Sequence, residues 1–343
     1  MNAMLDVVRS DVPVHDTRQR PLRDLRLSVT EACNFRCPYC MPADQVGDTP
    51  AFDSESRLSF GAIDTLVRAF AANGVRKLRI TGGEPLLRKD LPRLIERLAR
   101  IDGIDDIALT TNGSLLARHA RALRNAGLHR ITVSLDALDA RTFKVLSGHR
   151  GDVEDVLAGI DAAVAAGFES LKINCVVQRG VNEDQVLPLA TRFRHSPHVL
   201  RFIEYMDVGT CNGWDPSRVV HSRELHALVD ARWPLRALQP SMAGEVAARH
   251  AYVDGAGEVG FISSVSAPFC GDCNRARVAA DGTLYTCLFA GEGTALRPAL
   301  DEGFDALASQ VASIWRGRGD RYSELRSRSD APSRHVEMFL VGG

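Results

Sequence analysis

Between Leu25 and Met206, short apolar runs of β type alternate with amphipathic helical runs, and this rhythm leaves the chain few possible folds. Strands are read at Leu25 to Val29, Lys77 to Thr81, Asp106 to Thr110, Arg130 to Ser134, Leu171 to Val177 and Val199 to Glu204. Ser59 can N-cap a helix running from Phe60 to near Gly74, and Asp90 caps a second that tolerates Pro92 in its first turn. The Asn112-Gly113 turn leads into a helix from Ser114, Asp152 opens one ending near Gly167, and Asn182 opens the last. Six β–α alternations with brief connections imply an α/β fold with parallel strands and right-handed crossovers.

After Gly209 the rhythm breaks. The region to Gly343 reads as irregular and richer in Gly and Pro; it closes on a basic stretch (Arg316, Arg318, Arg321, Arg326, Arg328, Arg334) and then Gly342-Gly343. The expected organisation is a loose lead-in over 1–21, a barrel-type domain over 22–208 and a C-terminal region over 209–343. No apolar run approaches the roughly 20 residues of a membrane helix, and the polar first 20 residues do not read as a secretory signal, so a cytoplasmic protein is expected. The net charge of −1 supplies no global field for nucleic acid or an anionic membrane, so an anionic ligand must be met by local Arg and Lys clusters.

The residues with chemistry fall after the strands: Thr30 onward, Thr81 to Glu84, Thr110 to Gly113, Ser134 to Asp136, and Met206. In β/α barrels that C-terminal rim is where active sites form. Six of the eight Cys are clustered, which in a reducing compartment favours metal over disulfides. Cys33, Cys37 and Cys40 follow strand one as C-x3-C-x2-C. Structural zinc usually wants four ligands, whereas three thiolates can hold three irons of a [4Fe–4S] cube and leave the fourth iron open to a small chelator. A zinc loop or a disulfide with a spare thiol is the alternative. Cys270, Cys273 and Cys287 form C-x2-C-x13-C, again three thiols, read as a second open cluster or as zinc completed by His250 or Cys211. Cys175 reads as a core thiol, and Cys211 has no assigned role. Arg26 and Arg79 sit inside apolar β runs, where an unpaired charge is expensive. Lys172 and Asn174 share one face of strand five.

The first cysteine loop, with Tyr39 just before its last Cys, resembles the radical S-adenosylmethionine superfamily. Thr81-Gly82-Gly83-Glu84-Pro85, Ser134 and Met206 resemble further elements of that superfamily's cofactor site. The resemblance narrows with the second group. The stretch from about Leu22 to Gly343 is similar to the GTP 3′,8-cyclase family of molybdenum cofactor biosynthesis, in its two Cys spacings, its Arg275-Ala276-Arg277 after the second C-x2-C, and its Gly-Gly end.

That resemblance implies an incomplete (βα)6 TIM-like barrel whose open side the C-terminal region covers. It implies two [4Fe–4S] clusters and S-adenosylmethionine bordered by Tyr39, Gly83, Ser134 and Met206. Reductive cleavage of the cofactor would give a 5′-deoxyadenosyl radical, which takes the ribose C3′ hydrogen of GTP before C3′ attacks guanine C8; no classical acid or base is needed. GTP contacts are implied for Arg26, Arg79, Thr110, Lys172, Arg275 and Arg277, and an active-site role for the Gly-Gly tail. Implied partners are a flavodoxin- or ferredoxin-like reductant, a downstream cyclic pyranopterin monophosphate synthase and a second copy of the chain. Two other readings stand beside this one. A peptide-modifying radical enzyme would usually need more C-terminal Cys, and an iron–sulfur electron carrier needs neither Gly82-Gly83-Glu84-Pro85 nor the Arg-x-Arg pair.

Overall fold

The computed structural model describes residues 13–46, 56–242, 244–326 and 335–342. The six expected strands are present: β1 Asp24–Ser28, β2 Lys77–Thr81, β3 Asp106–Thr111, β4 Arg130–Ser134, β5 Lys172–Val177 and β6 Val199–Glu204. They lie side by side in chain order and all pair in parallel. Period-two alternation divides each strand. Leu25, Leu27, Leu78, Ile80, Ile107 and Leu109 are fully buried, while Arg26 and Arg79 point to the other face, paired in register. Helix Phe60–Ala72 buries Ile63, Leu66, Val67 and Phe70, and Ser59 caps it by accepting from the Ala62 amide. Each such side chain contributes about 1.5–3 kcal/mol of apolar burial.

The C-terminal region is more regular than its Gly and Pro content suggests. It contributes helices Ser222–Arg232 and Phe304–Arg316, and strands β7 Leu235–Ala237, β8 Ala248–Tyr252, β9 Glu258–Ile262, β10 Arg275–Val278, β11 Thr283–Tyr285 and β12 Thr294–Ala295. These strands extend the sheet at both edges, in the order β12-β11-β10-β1-β2-β3-β4-β5-β6-β9-β8-β7. Because β10 is parallel to β1 and β9 is parallel to β6, the parallel stretch is longer than the six central strands. The sheet is an open, partial barrel whose ends are made by the last third of the chain.

Some local expectations change. Asp90 precedes helix Leu91–Leu98, but its φ of 58° is left-handed and its side chain makes no capping bond. Ser114 lies in a turn, donating to Asn112 Oδ1, and the helix begins at Leu116. Asn182 opens the 3-10 turn Glu183–Gln185 that runs into helix Val186–Phe193, but its side chain makes no capping bond; buried, it accepts from the Gln178 amide and donates to the Asp136 and Val176 carbonyls. An unexpected helix, Ala140–Leu146, is capped by Asp139. Of the lead-in, residues 1–12 lie outside the described residues; 13–21 are tied down, with Val14 donating to Asn73 O and Arg20 2% exposed.

Candidate active site

The loop leaving β1 carries the first three cysteines, all free thiols and half-buried. Neighbouring segments hold it by its backbone. Arg36 donates to the Cys33 and Phe35 carbonyls at 2.8 and 2.9 Å, and its own amide donates to Ser147 O. Asn112, just past β3, donates to Asn34 Oδ1 at 2.9 Å and reaches Cys33 Sγ at 4.0 Å. From β2, Gly82 and Gly83 press so closely on the loop that a Cβ on Gly83 would stand 2.4 Å from Ala32 O. Only glycine permits that approach. Burial first, then the Cys40 and Cys33 thiols, push the Cys37 thiol well up, so the three sulfurs share one space; burial raises Cys33 to about 11.

Tyr39 and Asp136 fix this loop to the next strands. The Tyr39 hydroxyl donates to Asp136 Oδ2 at 2.6 Å, Asp136 Oδ1 accepts from the Val176 amide, and burial raises Asp136 to about 6. Glu84, inside the Gly-Gly-Glu-Pro segment, is fully buried and accepts from the Leu86 and Asn112 amides and the Thr111 hydroxyl. Its carboxylate ties the end of β2 to the end of β3.

Topology places the second cysteine group at the opposite end of the barrel. Arg275 opens β10 opposite Asp24 at the start of β1, so Cys270 and Cys273 lie at the N-terminal mouth. Cys287 follows β11, which runs back antiparallel to β10, and comes to the same end. The five-residue β1 separates the two mouths by about 16 Å at about 3.3 Å per residue.

A cavity of about 230 Å³ occupies the interior and reaches the second mouth. Arg26, Arg79, Thr110, Lys172, Arg275, Arg277 and Met206 all line it, as do Cys270, Cys273 and Cys287. Tyr39, Gly83, Ser134 and the first three cysteines do not. The cationic residues therefore lie along the barrel interior towards its N-terminal end, while the first cysteine loop, Glu84 and Asn112 sit at the C-terminal rim.

Sequence reasoning missed Lys77, Arg130 and Arg201, which line the same cavity. Arg201 alternates with Leu200 and Phe202 inside an apolar run, the same signal that marks Arg26 and Arg79. Eight Lys and Arg face three Asp and Glu around this cavity among the described residues. Burial, then a neighbouring cation, lowers Arg277 and Arg201 to about 9, Arg79 to about 10 and Lys172 to about 8. Cations crowded at this cost fit a polyanionic ligand.

Burial alone would raise the Cys273 thiol, but Arg275 and Arg318 together bring it down to about 6. Cys287, also buried, is raised to about 11. Above about pH 6 the iron-free protein should thus hold Cys273 as a thiolate while Cys287 stays a thiol, since a thiol loses its proton above its pKa. Iodoacetamide at pH 7.5 is expected to label Cys273 ahead of Cys287 and Cys33, read by peptide mass mapping; equal labelling would contradict this electrostatic picture.

Neither proposed fourth ligand joins the second group. Cys211 donates to Glu337 Oε2 at 2.8 Å, and His250 packs edge-on against His226 and Phe261. Among the described residues no three His, Cys, Asp or Glu side chains close on a single ion. Ligands of one zinc all sit about 2.3 Å or less from it, whereas each thiolate of a cube meets its own iron. Two all-thiol triads that no fourth protein ligand joins among the described residues suit open cubes better than zinc.

An open parallel barrel with a three-cysteine loop after its first strand defines a radical S-adenosylmethionine protein, and residues 27–193 match the family model described as Radical SAM superfamily. Residues 198–324 match Molybdenum Cofactor Synthesis C. The chain belongs to the GTP 3′,8-cyclase family: it is 65% identical to a protein of that name from Xanthomonas axonopodis pv. citri (strain 306), over 96% of this chain and 99% of the relative. A second, from Acidothermus cellulolyticus (strain ATCC 43068 / DSM 8971 / 11B), is 48% identical over the same shares. The crystal structure of Streptococcus suis SuiB bound to S-adenosylmethionine superposes with a TM-score of 0.63, covering 96% of this chain and 77% of SuiB. At 14% identity that likeness concerns the fold.

Proposed function

We propose that this chain converts GTP to (8S)-3′,8-cyclo-7,8-dihydro-GTP, the first step of molybdenum cofactor biosynthesis. The observation that carries the reading is the cation-lined interior with a thiol triad at each mouth of the barrel. Cys33, Cys37 and Cys40 hold one [4Fe–4S] cluster, and Cys270, Cys273 and Cys287 hold the other. When bound, the first cluster and S-adenosylmethionine supply the 5′-deoxyadenosyl radical that takes the C3′ hydrogen of GTP.

The chain's own residues bind and shield. Tyr39, Gly83, Ser134 and Met206 border the cofactor, with Tyr39 held by Asp136. Arg26, Arg79, Lys172, Arg275 and Arg277, with Thr110, hold the triphosphate and ribose. Arg79 donates to the Thr110 and Thr132 hydroxyls at 3.1 Å, which fixes its guanidinium beneath the incoming anion. The barrel wall excludes water from the reacting carbon.

No helix among the described residues is long and apolar enough to cross a membrane. The reading places the protein in the cytoplasm as a homodimer, supplied by a flavodoxin- or ferredoxin-like reductant and followed by cyclic pyranopterin monophosphate synthase. Anaerobic reconstitution should load about eight irons, four per triad. Adding S-adenosylmethionine, dithionite and GTP should then give 5′-deoxyadenosine and a cyclised nucleotide by mass analysis. Zinc in place of iron, or GTP left intact, overturns the reading.

Arg277→Ala should leave iron content unchanged but weaken GTP binding. A charge-assisted contact is worth about 1.5–3 kcal/mol, so the loss is about tenfold or more in anaerobic equilibrium dialysis. Unchanged binding would leave Arg277 with its visible contact alone, to the C-terminal backbone.

A further inference from the structure

Two segments that look unremarkable in the sequence, the N-terminal lead-in and the basic C-terminal stretch, meet behind the second cysteine group. Asp16, Arg20 and Arg318 form a buried triad there, at 3, 2 and 4% exposure. Asp16 Oδ2 accepts from Arg20 Nε at 2.6 Å and lies 3.4 Å from Arg318 Nη1. Trp315 packs its ring on the Arg318 guanidinium at 4.5 Å and donates its indole N–H to Arg20 O.

Both guanidiniums face the cysteine loop. Arg20 Nη1 donates to Cys270 O at 2.8 Å, and Arg318 Nη1 donates to Cys273 O at 2.7 Å. Arg318 Nη2 also donates to the Cys273 sulfur at 3.2 Å, closer than Arg275, which reaches it at 3.6 Å. One buried carboxylate faces two buried guanidiniums. The other carboxylate in reach, Asp320, is a third exposed and 3.3 Å from Arg318 Nε. Buried charge calls for partners, and beside the shared Asp16 carboxylate the Arg318 guanidinium meets the Cys273 sulfur.

We propose that Arg318, oriented by Asp16 and Arg20, is a positioning residue of the second cluster: it fixes Cys273 through the carbonyl and donates to its sulfur, raising the cluster's reduction potential. Hydrogen bonds and positive charge at ligand sulfurs favour the reduced cluster, which carries one more negative charge. The same contacts couple cluster retention to the docking of residues 13–21. This inference rests on the assignment of Cys270, Cys273 and Cys287 as cluster ligands, and the experiment tests that assignment separately.

The probe protein is the full chain with Cys33, Cys37 and Cys40 replaced by Ala, reconstituted with iron and sulfide. About four irons in this variant establish the second cluster on its own; absence of iron would count against the ligand assignment and not against Arg318 alone. Arg318→Met is then added and the cluster titrated by EPR-monitored reduction. Met removes the donor and the charge but leaves Asp16 and Arg20 as a neutral pair, so the core keeps its balance. The midpoint should move to more negative potential with iron still bound. Should Arg318→Met lose its iron, Arg318→Lys replaces it, keeping the charge without the planar fork, and should hold the cluster at a midpoint below the parent's. A bound cluster with an unchanged midpoint in Arg318→Met, or in Arg318→Lys where Met loses iron, overturns the proposal, as does loss of iron from both, which would make Arg318 purely structural. A merely structural contact would change iron retention and stability but not the potential of the cluster that remains.

Discussion

Replacing Cys37 with Ala is expected to abolish 5′-deoxyadenosine formation, whereas Cys273→Ala should keep some cofactor cleavage and lose GTP cyclisation. The two variants remove chemically identical groups from opposite mouths of one barrel. Cys37 is the middle member of the first triad, and its carbonyl also accepts from the Cys40 and Met41 amides. The backbone of the loop therefore survives the substitution, and only the thiol is lost. With two thiols the triad cannot complete an open cube, and iron should fall from about eight to about four per chain. Cys273, by contrast, borders the cationic cavity next to Arg275. Losing it should misplace the nucleotide while leaving the first triad and its glycine cradle intact. Iron analysis and chromatographic assay of 5′-deoxyadenosine, with and without GTP, separate the cases. Normal cofactor cleavage by both variants would break this division of labour.

The parts of this arrangement legible in the sequence are those set by neighbours along the chain. β2, β4 and β6 fall on their expected bounds because each is an apolar β run closed by a turn or polar residue. The thiol triads were legible because their spacing is short. What escaped depends on partners far away in the chain. The parallel pairing of β10 with β1 joins residues about 250 positions apart, and nothing in Arg275 to Val278 announces it. It nevertheless decides that the second triad sits at the N-terminal mouth. Charged residues were harder still, since a lone Arg or Asp reads as solvated until its partner is known. Asp16 and Arg318 lie 302 positions apart and pair only in the folded chain. Arg201 was within reach of the argument applied to Arg26 and Arg79, because it too interrupts an apolar strand. Glu84, a carboxylate in the Gly-Gly-Glu-Pro segment, likewise meets its partners only where the ends of β2 and β3 come side by side.

Removing Gly342 and Gly343 is expected to leave both clusters in place and to cut GTP cyclisation at least about tenfold. An exposed Gly-Gly end is ordinarily frayed and dispensable. Here Gly343 lies outside the described residues, but the chain up to Gly342 is held at successive points. Glu337 accepts from the Thr210 amide and hydroxyl and from the Cys211 thiol. Phe339 and Val341, on the short helix Met338–Val341, are buried. Gly342 O then accepts from Arg277 Nη1 at 2.5 Å and from Arg26 Nη1 at 3.3 Å. Those are two of the cations proposed to hold GTP, and a guanidinium has five donors, so one Arg can serve tail and phosphate together. The tail thereby sets where these cations point. Truncation loses charge-assisted bonds worth about 1.5–3 kcal/mol each, hence the expected magnitude. Gly342→Ala should act by a different route with a similar result. At φ +66° the residue is in the left-handed region, and an added Cβ would stand 2.0 Å from Thr81 Cγ2. Thr81→Ser deletes that methyl group, so it should partly restore cyclisation to Gly342→Ala and do nothing for the truncated chain. Full turnover by the truncated protein would return the tail to an ordinary chain end; failure of Thr81→Ser to help Gly342→Ala would place the strain in the backbone and not in the contact.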